Sequence, residues 1–403
     1  MRNKYSEQEL TRILGQNVEE PEAVERKIEE AYEMIRNHEG LERQGSKRIW
    51  RRMELAGIGI ASAILLGVGG LAANPVLAAK IPIIGRIFQV EEEKVSYPGD
   101  YSSHAEQLAE PAAEGEETAD SPYAVTSNGT AITISEYYSD GAALYLGINI
   151  EMENGFPEAF MEAAKDTDLG YSVIQMESAA LADFTEGGFG RVTFDPAYGV
   201  EAPYLIEGNF VDNHTFAGII RIALTDMAAL NEAGEVIKIS AAPGHFSYEL
   251  VITKLYIPGI ANVVRDEEGE WVSFEDTMEE IGGEWKFSID VNTDTSGMEI
   301  RNVDETNSEG VGIGQVRKTP YEMEAQIIVP EGKNAWDYVV FMTDASGERL
   351  ESRGGKAQTY NVYRKDVSKV SIGVCTESDF MEYKGDTEKL WETAVFSTEV
   401  SFE

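Results

Sequence analysis

Of 403 residues, one is cysteine and four are histidine. A lone cysteine excludes any intramolecular disulfide. A long region without disulfides fits a bacterial envelope better than a eukaryotic secreted protein. Cys375 lies in the alternation KVSIGVCTES, which reads as a buried small hydrophobe. No activating group stands beside it in the sequence. His38, His104, His214 and His245 are far apart, and the nucleophile-elbow pattern G-x-S-x-G is missing. Gly310-Val-Gly312-Ile-Gly314 is glycine-rich but falls in a strand pattern and opens no helix, which is wrong for a phosphate loop. Asp290-x-Asn292-x-Asp294 begins like a calcium loop. Thr295 and Arg301 stand where that loop needs glycine and glutamate. The expectation is therefore no catalytic residue, no metal site, no cofactor and no enzyme.

Positive charge is also scarce: 33 Lys and Arg against 72 Asp and Glu, a net charge of -39. The imbalance is local. Residues 1–52 hold 11 basic and 11 acidic side chains, so nearly all the net negative charge lies beyond them. A surface that acidic repels nucleic acid and anionic headgroups, so no direct nucleic-acid partner is expected.

What the chain does have is one long apolar run. No charged side chain occurs from Leu55 to Ala79. The stretch Met53 to Ala73, as a helix, would be about 31 Å long, the thickness of a bilayer's hydrocarbon core. Lys47, Arg48, Arg51 and Arg52 crowd its N-terminal end, and Trp50 sits at the expected interface. The positive-inside rule then places residues 1–52 in the cytoplasm and the C-terminal region outside the cell. About 50 residues precede the run, far more than an ordinary signal peptide carries, so it reads as an uncleaved anchor. Val76-Leu-Ala78 is a loose match to a cleavage site. Gly59, Ala63 and Gly67 recur every four residues, a spacing that lets two spans approach closely as a homodimer.

Residues 5–40 read as two amphipathic helices. In the second, opened by Pro21, the residues Val24, Ile28, Ala31, Tyr32 and Ile35 share one face. So short a segment cannot bury that stripe on itself. A groove on another protein would bury it. A membrane surface and a second copy of the helix are the alternatives.

Beyond the run, AKIPIIGRIF is expected to rest in the outer interface with Lys80 and Arg86 toward headgroups. Residues 89–124 are acidic and rich in Ala, Pro and Ser, and read as a spacer. From Tyr123 the period changes to two. TAITISEYY and AALYLGINIEM make a hairpin about Ser139-Asp140-Gly141, with Ile132 and Ile134 on one face. YSVIQM, GRVTF, YLIEGNF, FAGIIRIAL, EVIKIS, FSYELVITKLYI and EWKFSIDV are further strands, and Asp226 to Leu230 reads as one helical turn. After the break TDTSG come seven more strand patterns, the size of an immunoglobulin-like sandwich. Trp271, Trp285, Trp336 and Trp391 read as core or strand residues before carbohydrate platforms.

The fold class expected is mainly β. A cytoplasmic helical segment (1–52) and a transmembrane helix (53–79) lead through a juxtamembrane segment and acidic spacer (80–122) to two extracellular β-sandwich domains. These are 123–292 and an immunoglobulin-like 293–403.

Several pieces in this order carry a family resemblance. They are the helix AVERKIEEAYEMI before a basic cluster, the span running into NPVLAAKIPIIGRIF, the pair around YSDGAALYLGINIEM, and EWKFSIDV before the last domain. The chain resembles single-span proteins of Gram-positive bacteria described as negative effectors of extracytoplasmic-function sigma factors, a family defined as a domain of unknown function. The resemblance implies a membrane-anchored anti-sigma factor, with a sigma factor as inner partner and outer domains that sense an envelope condition. The zinc-binding variety needs a His-Cys-Cys motif that is missing here, so the helices alone would hold the partner. The alternative is a surface-anchored binding or structural protein with no sigma partner.

Overall fold

The computed structural model describes residues 86–108, 121–166, 170–194, 202–225, 228–230, 236–257, 262–265, 271–275, 279–352 and 359–402. The expected partner-binding residues Val24, Ile28, Ala31, Tyr32 and Ile35, and the span with Gly59, Ala63 and Gly67, lie outside them. Among the described residues no helix is long and apolar enough to cross a membrane.

Antiparallel strands dominate. In chain order the first are β1 (Glu106–Gln107), β2 (Ala124–Ser127), β3 (Thr130–Ser139), β4 (Ala143–Met152), β5 (Lys165–Asp166), β6 (Tyr171–Phe184), β7 (Gly190–Phe194), β8 (Leu205–Phe210) and β9 (Thr215–Ala223). There follow β10 (Ala228–Leu230), β11 (Val236–Lys238), β12 (His245–Ile257), β13 (Asn262–Arg265), β14 (Trp271–Glu275) and β15 (Glu279–Asn292). The pairs β10-β11 and β13-β14 are separate hairpins. The other eleven strands form one sheet along the path β1-β3-β4-β9-β8-β6-β12-β15, with β2 on β3, and β5 and β7 on β6. Val236 to Lys238 pair with Ala228 to Leu230 as a two-stranded ladder, so Leu230 closes a strand and not the helical turn expected there.

The last strand of the sheet returns to the first. Trp285 donates its indole N–H to the Thr130 carbonyl at 3.0 Å, and Asn128 donates to the Gly282 carbonyl at 3.0 Å. Tyr137 OH accepts the Asn292 amide at 3.0 Å. A sandwich-like core thus arises from one sheet curled on itself, not from two separate sheets. Ile132, Ile134, Leu146, Ile148, Ile150, Phe216, Leu250 and Trp285 fill it. The short helix α2 (Glu158–Ala164) covers one side with Phe160.

The second β region has two sheets. One is β16 (Glu299–Thr306), β17 (Gly312–Lys318), β18 (Glu322–Ile328) and β20 (Thr359–Asn361); the other is β19 (Tyr338–Thr343), β21 (Lys369–Thr376) and β22 (Phe396–Ser401). These are the seven strands that the period-two pattern predicts. Val316, Met323, Val340, Ile372 and Val400, from both sheets, share one core. Two helices escaped the sequence reading: α3 (Glu377–Tyr383) and α4 (Thr387–Thr393). Thr376 and Asp386 cap them by accepting the amides of Asp379 and Lys389, both at 3.1 Å. They cover a small core of Phe341, Cys375 and Leu390. Burial pushes the Cys375 thiol up to about 11, so it stays protonated and inert.

Of Trp271, Trp285, Trp336 and Trp391, the last three have described side chains. Trp285 is buried and Trp391 packs against Phe341, as core residues do, but Trp336 is 56% exposed. The turn Ala335–Asp337, fixed by an Asn334–Asp337 capping box, carries it outward.

Candidate functional site

Residues 86–108 form a strap clamped between the two β regions. This corrects two expectations. Ile87 and Phe88 are 0% exposed, so they sit in protein and not in a lipid interface. The acidic stretch that follows them is not a loose spacer as far as Leu108, because Val95, Tyr97 and Tyr101 are buried in the same cluster. The helix α1 (Ile87–Glu91) packs on β9 and β4, and β1 then adds to β3, with Glu106 opposite Tyr137 and Gln107 opposite Glu136.

A β-bulge in β3 makes the seat for the strap. Up to Ile134 the register pairs Ile134 with Ile148; after it, Glu136 pairs with Gly147, Tyr137 with Leu146 and Tyr138 with Tyr145. The extra residue, Ser135, reverses the alternation. Tyr137 therefore joins the sheet's core while Glu136, Tyr138 and Tyr145 turn to the other face. Glu136 accepts the Phe88 amide at 2.7 Å and the Gln107 side-chain amide at 2.8 Å. A Cβ on Gly147 would meet Glu136 Cγ at 2.8 Å, so only glycine leaves that carboxylate room.

Other carboxylates fasten the strap along its length. Glu207 on β8 accepts the amide and hydroxyl of Ser96 at 2.7 and 2.8 Å. Glu92 accepts the amide and hydroxyl of Ser102, both at 2.6 Å. Burial raises the Glu92 carboxyl in spite of those two bonds. Glu91 accepts from Asn209 at 2.6 Å.

At the centre lies a cluster of tyrosines. Tyr101 stacks on Tyr145 at 4.2 Å and meets the edge of Tyr321 at 4.6 Å, with Phe88 at 5.6 Å. Tyr321 belongs to the second β region, in the turn between β17 and β18, and donates to Asp100 of the strap at 2.7 Å. The strap is thus held by both regions at once.

Two ion pairs close the seam. Glu322, 4% exposed, accepts from Tyr145 OH at 2.5 Å and from Arg221 Nε at 2.6 Å, with Arg221 Nη2 on its other oxygen. Burial works against the Arg221 charge, but the Glu322 carboxylate outweighs it and moves the guanidinium further up. Arg317, 5% exposed, bonds Glu324 on its own sheet and reaches the Ser240 carbonyl at 3.0 Å and Thr225 Oγ1 at 2.5 Å on the other side.

The hairpin tip predicted at Ser139-Asp140-Gly141 is in place, and it is buried. Asp140, 1% exposed, accepts the Ala142 and Ala143 amides at 2.9 and 2.8 Å. Burial, with the nearby Glu322 charge, pushes its carboxyl up to about 6. Its folded pKa thus exceeds the ordinary 3.8, and the folded chain holds a proton that the unfolded chain has lost. This contribution to stability is complete below about 4 and is lost as the pH rises through about 6. Asp140→Asn keeps the acceptor and removes the titration. Its stability relative to wild type should improve from pH 4 to pH 7 by up to about 3 kcal/mol. Parallel denaturant unfolding at both pH values reads this; a constant difference would contradict it.

Among the described residues no group of His, Cys, Asp or Glu has the geometry to hold a metal. Asn292 of the calcium-loop-like stretch bonds Glu106, and Asp294 accepts the Ser296 amide at 2.9 Å, an ordinary turn. His214 bonds the Met152 carbonyl at 2.9 Å, and His245 faces Glu186 at the surface.

Residues 50–152 match the model of a family described as Domain of unknown function (DUF4179). The match runs from Trp50 through the apolar run and the strap to the last residue of β4. The strap and the hairpin that seats it therefore fall in one family-defined piece. No curated protein is significantly similar. Among solved structures, a conserved domain protein from Bacillus anthracis is similar at 14% identity and a TM-score of 0.38, over 73% of this chain and 86% of that one. Tp47, the 47-kilodalton lipoprotein of Treponema pallidum, is similar at 10% identity and a TM-score of 0.14, over 72% and 54%. At these scores neither likeness bears on function.

The strap had a faint signal in the sequence. VEEEKVSYPGDYSSH sets Val95, Tyr97 and Tyr101 among acids, whereas EQLAEPAAEGEETADSP has no aromatic residue. Aromatic content, and not charge, separates the two halves.

Proposed function

We propose that the chain is a membrane-anchored anti-sigma factor. Its N-terminal helices hold an extracytoplasmic-function sigma factor through Val24, Ile28, Ala31, Tyr32 and Ile35. One helix over 53–79 crosses the membrane, and the outer β regions, the second immunoglobulin-like, receive an envelope signal. Release of the sigma factor follows when the signal loosens the strap.

The observation that carries this reading is the strap. It follows the apolar run by a few residues and is gripped by both β regions, through Glu136 and Glu207 on one side and Tyr321 on the other. A passive anchor needs only a flexible tether. A strap buried in the seam ties the chain's exit from the membrane to the relative arrangement of the two regions. Burial of Ile87, Phe88 and Tyr101 stabilises that grip by roughly 1.5–3 kcal/mol per side chain. A ligand with a differential affinity of a few kcal/mol is enough to shift such a two-state contact.

The test is co-purification of the full chain, tagged, from its native host in mild detergent, with mass spectrometry of what comes with it. A small sigma factor should accompany the wild type and be depleted at least tenfold by Ile28→Asp, with membrane insertion unchanged. Equal recovery of the same proteins by both forms would point to the surface-anchored binding protein instead.

A further inference from the structure

The seam does not use a second feature of the molecule, a cleft of about 890 Å³ on the second β region. Trp336, Tyr338, Phe380, Arg349 and Lys384 line it. Three observations bear on what it takes. The first is Trp336, the one described tryptophan that is exposed, held outward by a fixed turn. An indole face beside other aromatic walls is a platform for a flat apolar surface.

The second is charge. The described cations of this acidic chain are mostly paired: Arg221 with Glu322, Arg317 with Glu324, Lys318 and Arg301 with Glu299, Lys365 with Glu348. Among the described residues, Arg349 and Lys384 have no carboxylate in ion-pair range. Arg349 instead donates to the Lys384 carbonyl, and a bridge with Thr343 fixes its backbone. A guanidinium left open next to an aromatic platform suits a carboxylate.

The third is the rim. Glu348, Glu351 and Glu377 also line the cleft, Glu348 being paired with Lys365, so a polyanion is repelled and only a single carboxylate, held between Arg349 and Lys384, suits the site. We propose that this cleft binds a sugar bearing one carboxylate, its ring on Trp336 and its carboxylate on Arg349 and Lys384. The proposal stands apart from the sigma-factor reading, since it concerns the second β region alone.

The experiment is calorimetric titration of the full chain in detergent micelles with N-acetylmuramic acid and with N-acetylglucosamine, which lacks the lactyl carboxylate. Saturable binding of the acid, at least tenfold tighter than of the neutral sugar, is expected. Trp336→Ala should weaken the acid at least tenfold, and Arg349→Gln should abolish the preference between the two sugars. No saturable binding of the acid, equal binding of both sugars, or an unchanged Trp336→Ala would overturn the proposal. Wild-type tryptophan fluorescence gives a readout that needs no variant: the acid should shift it at concentrations where the neutral sugar does not, and identical responses would also overturn the assignment.

Discussion

Glu322→Ala should cost about 3–5 kcal/mol, the usual penalty for breaking one partner of a buried pair. The carboxylate takes two guanidinium bonds from Arg221 and one from Tyr145 OH, and it is 4% exposed. Removing it strands the Arg221 charge and the phenol together. Because Glu322 belongs to β18 and its partners to β9 and β4, the loss falls on the seam and not on either core. Two unfolding transitions should replace one as the regions melt separately. Glu322→Gln keeps an acceptor for Tyr145 and should fall in between. The apolar double replacement Arg221→Met with Glu322→Leu should recover the part lost to the stranded charge, leaving the cost of the unpaired Tyr145 phenol, about 1–3 kcal/mol. Denaturant unfolding followed by two probes reads all three. A loss below about 1 kcal/mol for Glu322→Ala would mean that the pair is solvated and does not join the regions.

Tyr101→Ala should be comparably severe, about 3–5 kcal/mol, as for other large-to-small aromatic replacements in cores. Tyr101 is 0% exposed, at the meeting point of Phe88, Tyr145 and Tyr321. Gly99 is shaped to it, since a Cβ there would lie 2.5 Å from the ring. The cavity would open between strap and sheets, so the strap should become sensitive to proteolysis between Glu92 and Leu108 while both cores stay resistant. Tyr101→Phe keeps the ring and loses the bond to the Tyr97 carbonyl, for about 1 kcal/mol. Limited proteolysis separates the two. Equal cleavage of wild type and Tyr101→Ala would show that the ring does not hold the strap.

Strand patterns were the most legible part of the chain. Alternation placed all seven strands of the second region and, at least in part, the long strands of the first, since most keep one apolar face in a core; β3 and β4 are buried on both faces. The immediate hairpin at Asp140 was also legible from Asp-Gly. The seam was not, for physical reasons. The bulge at Ser135 reverses the face of Glu136 and Tyr138 without altering composition. Arg221, Arg317, Glu322 and Glu136 look like surface charges until partners far away in sequence bury them. Ile87 and Phe88 look like lipid contacts because they follow an apolar run, and only their neighbours reveal a protein interior. Trp336 resembled any strand tryptophan; the capping box that turns it outward is a feature of Asn334 and Asp337.

In the proposed mechanism, the strap couples the two β regions to what residues 1–52 hold. Gene expression across the native host, compared for strains with wild type, Ile28→Asp and Glu322→Ala at equal protein level, tests it most directly. If this coupling holds, Ile28→Asp frees the partner outright, Glu322→Ala frees it by loosening the seam, and the two strains induce the same set of genes. If Ile28→Asp induces a set of genes and Glu322→Ala leaves expression as in wild type, the seam is structural only and the coupling is contradicted.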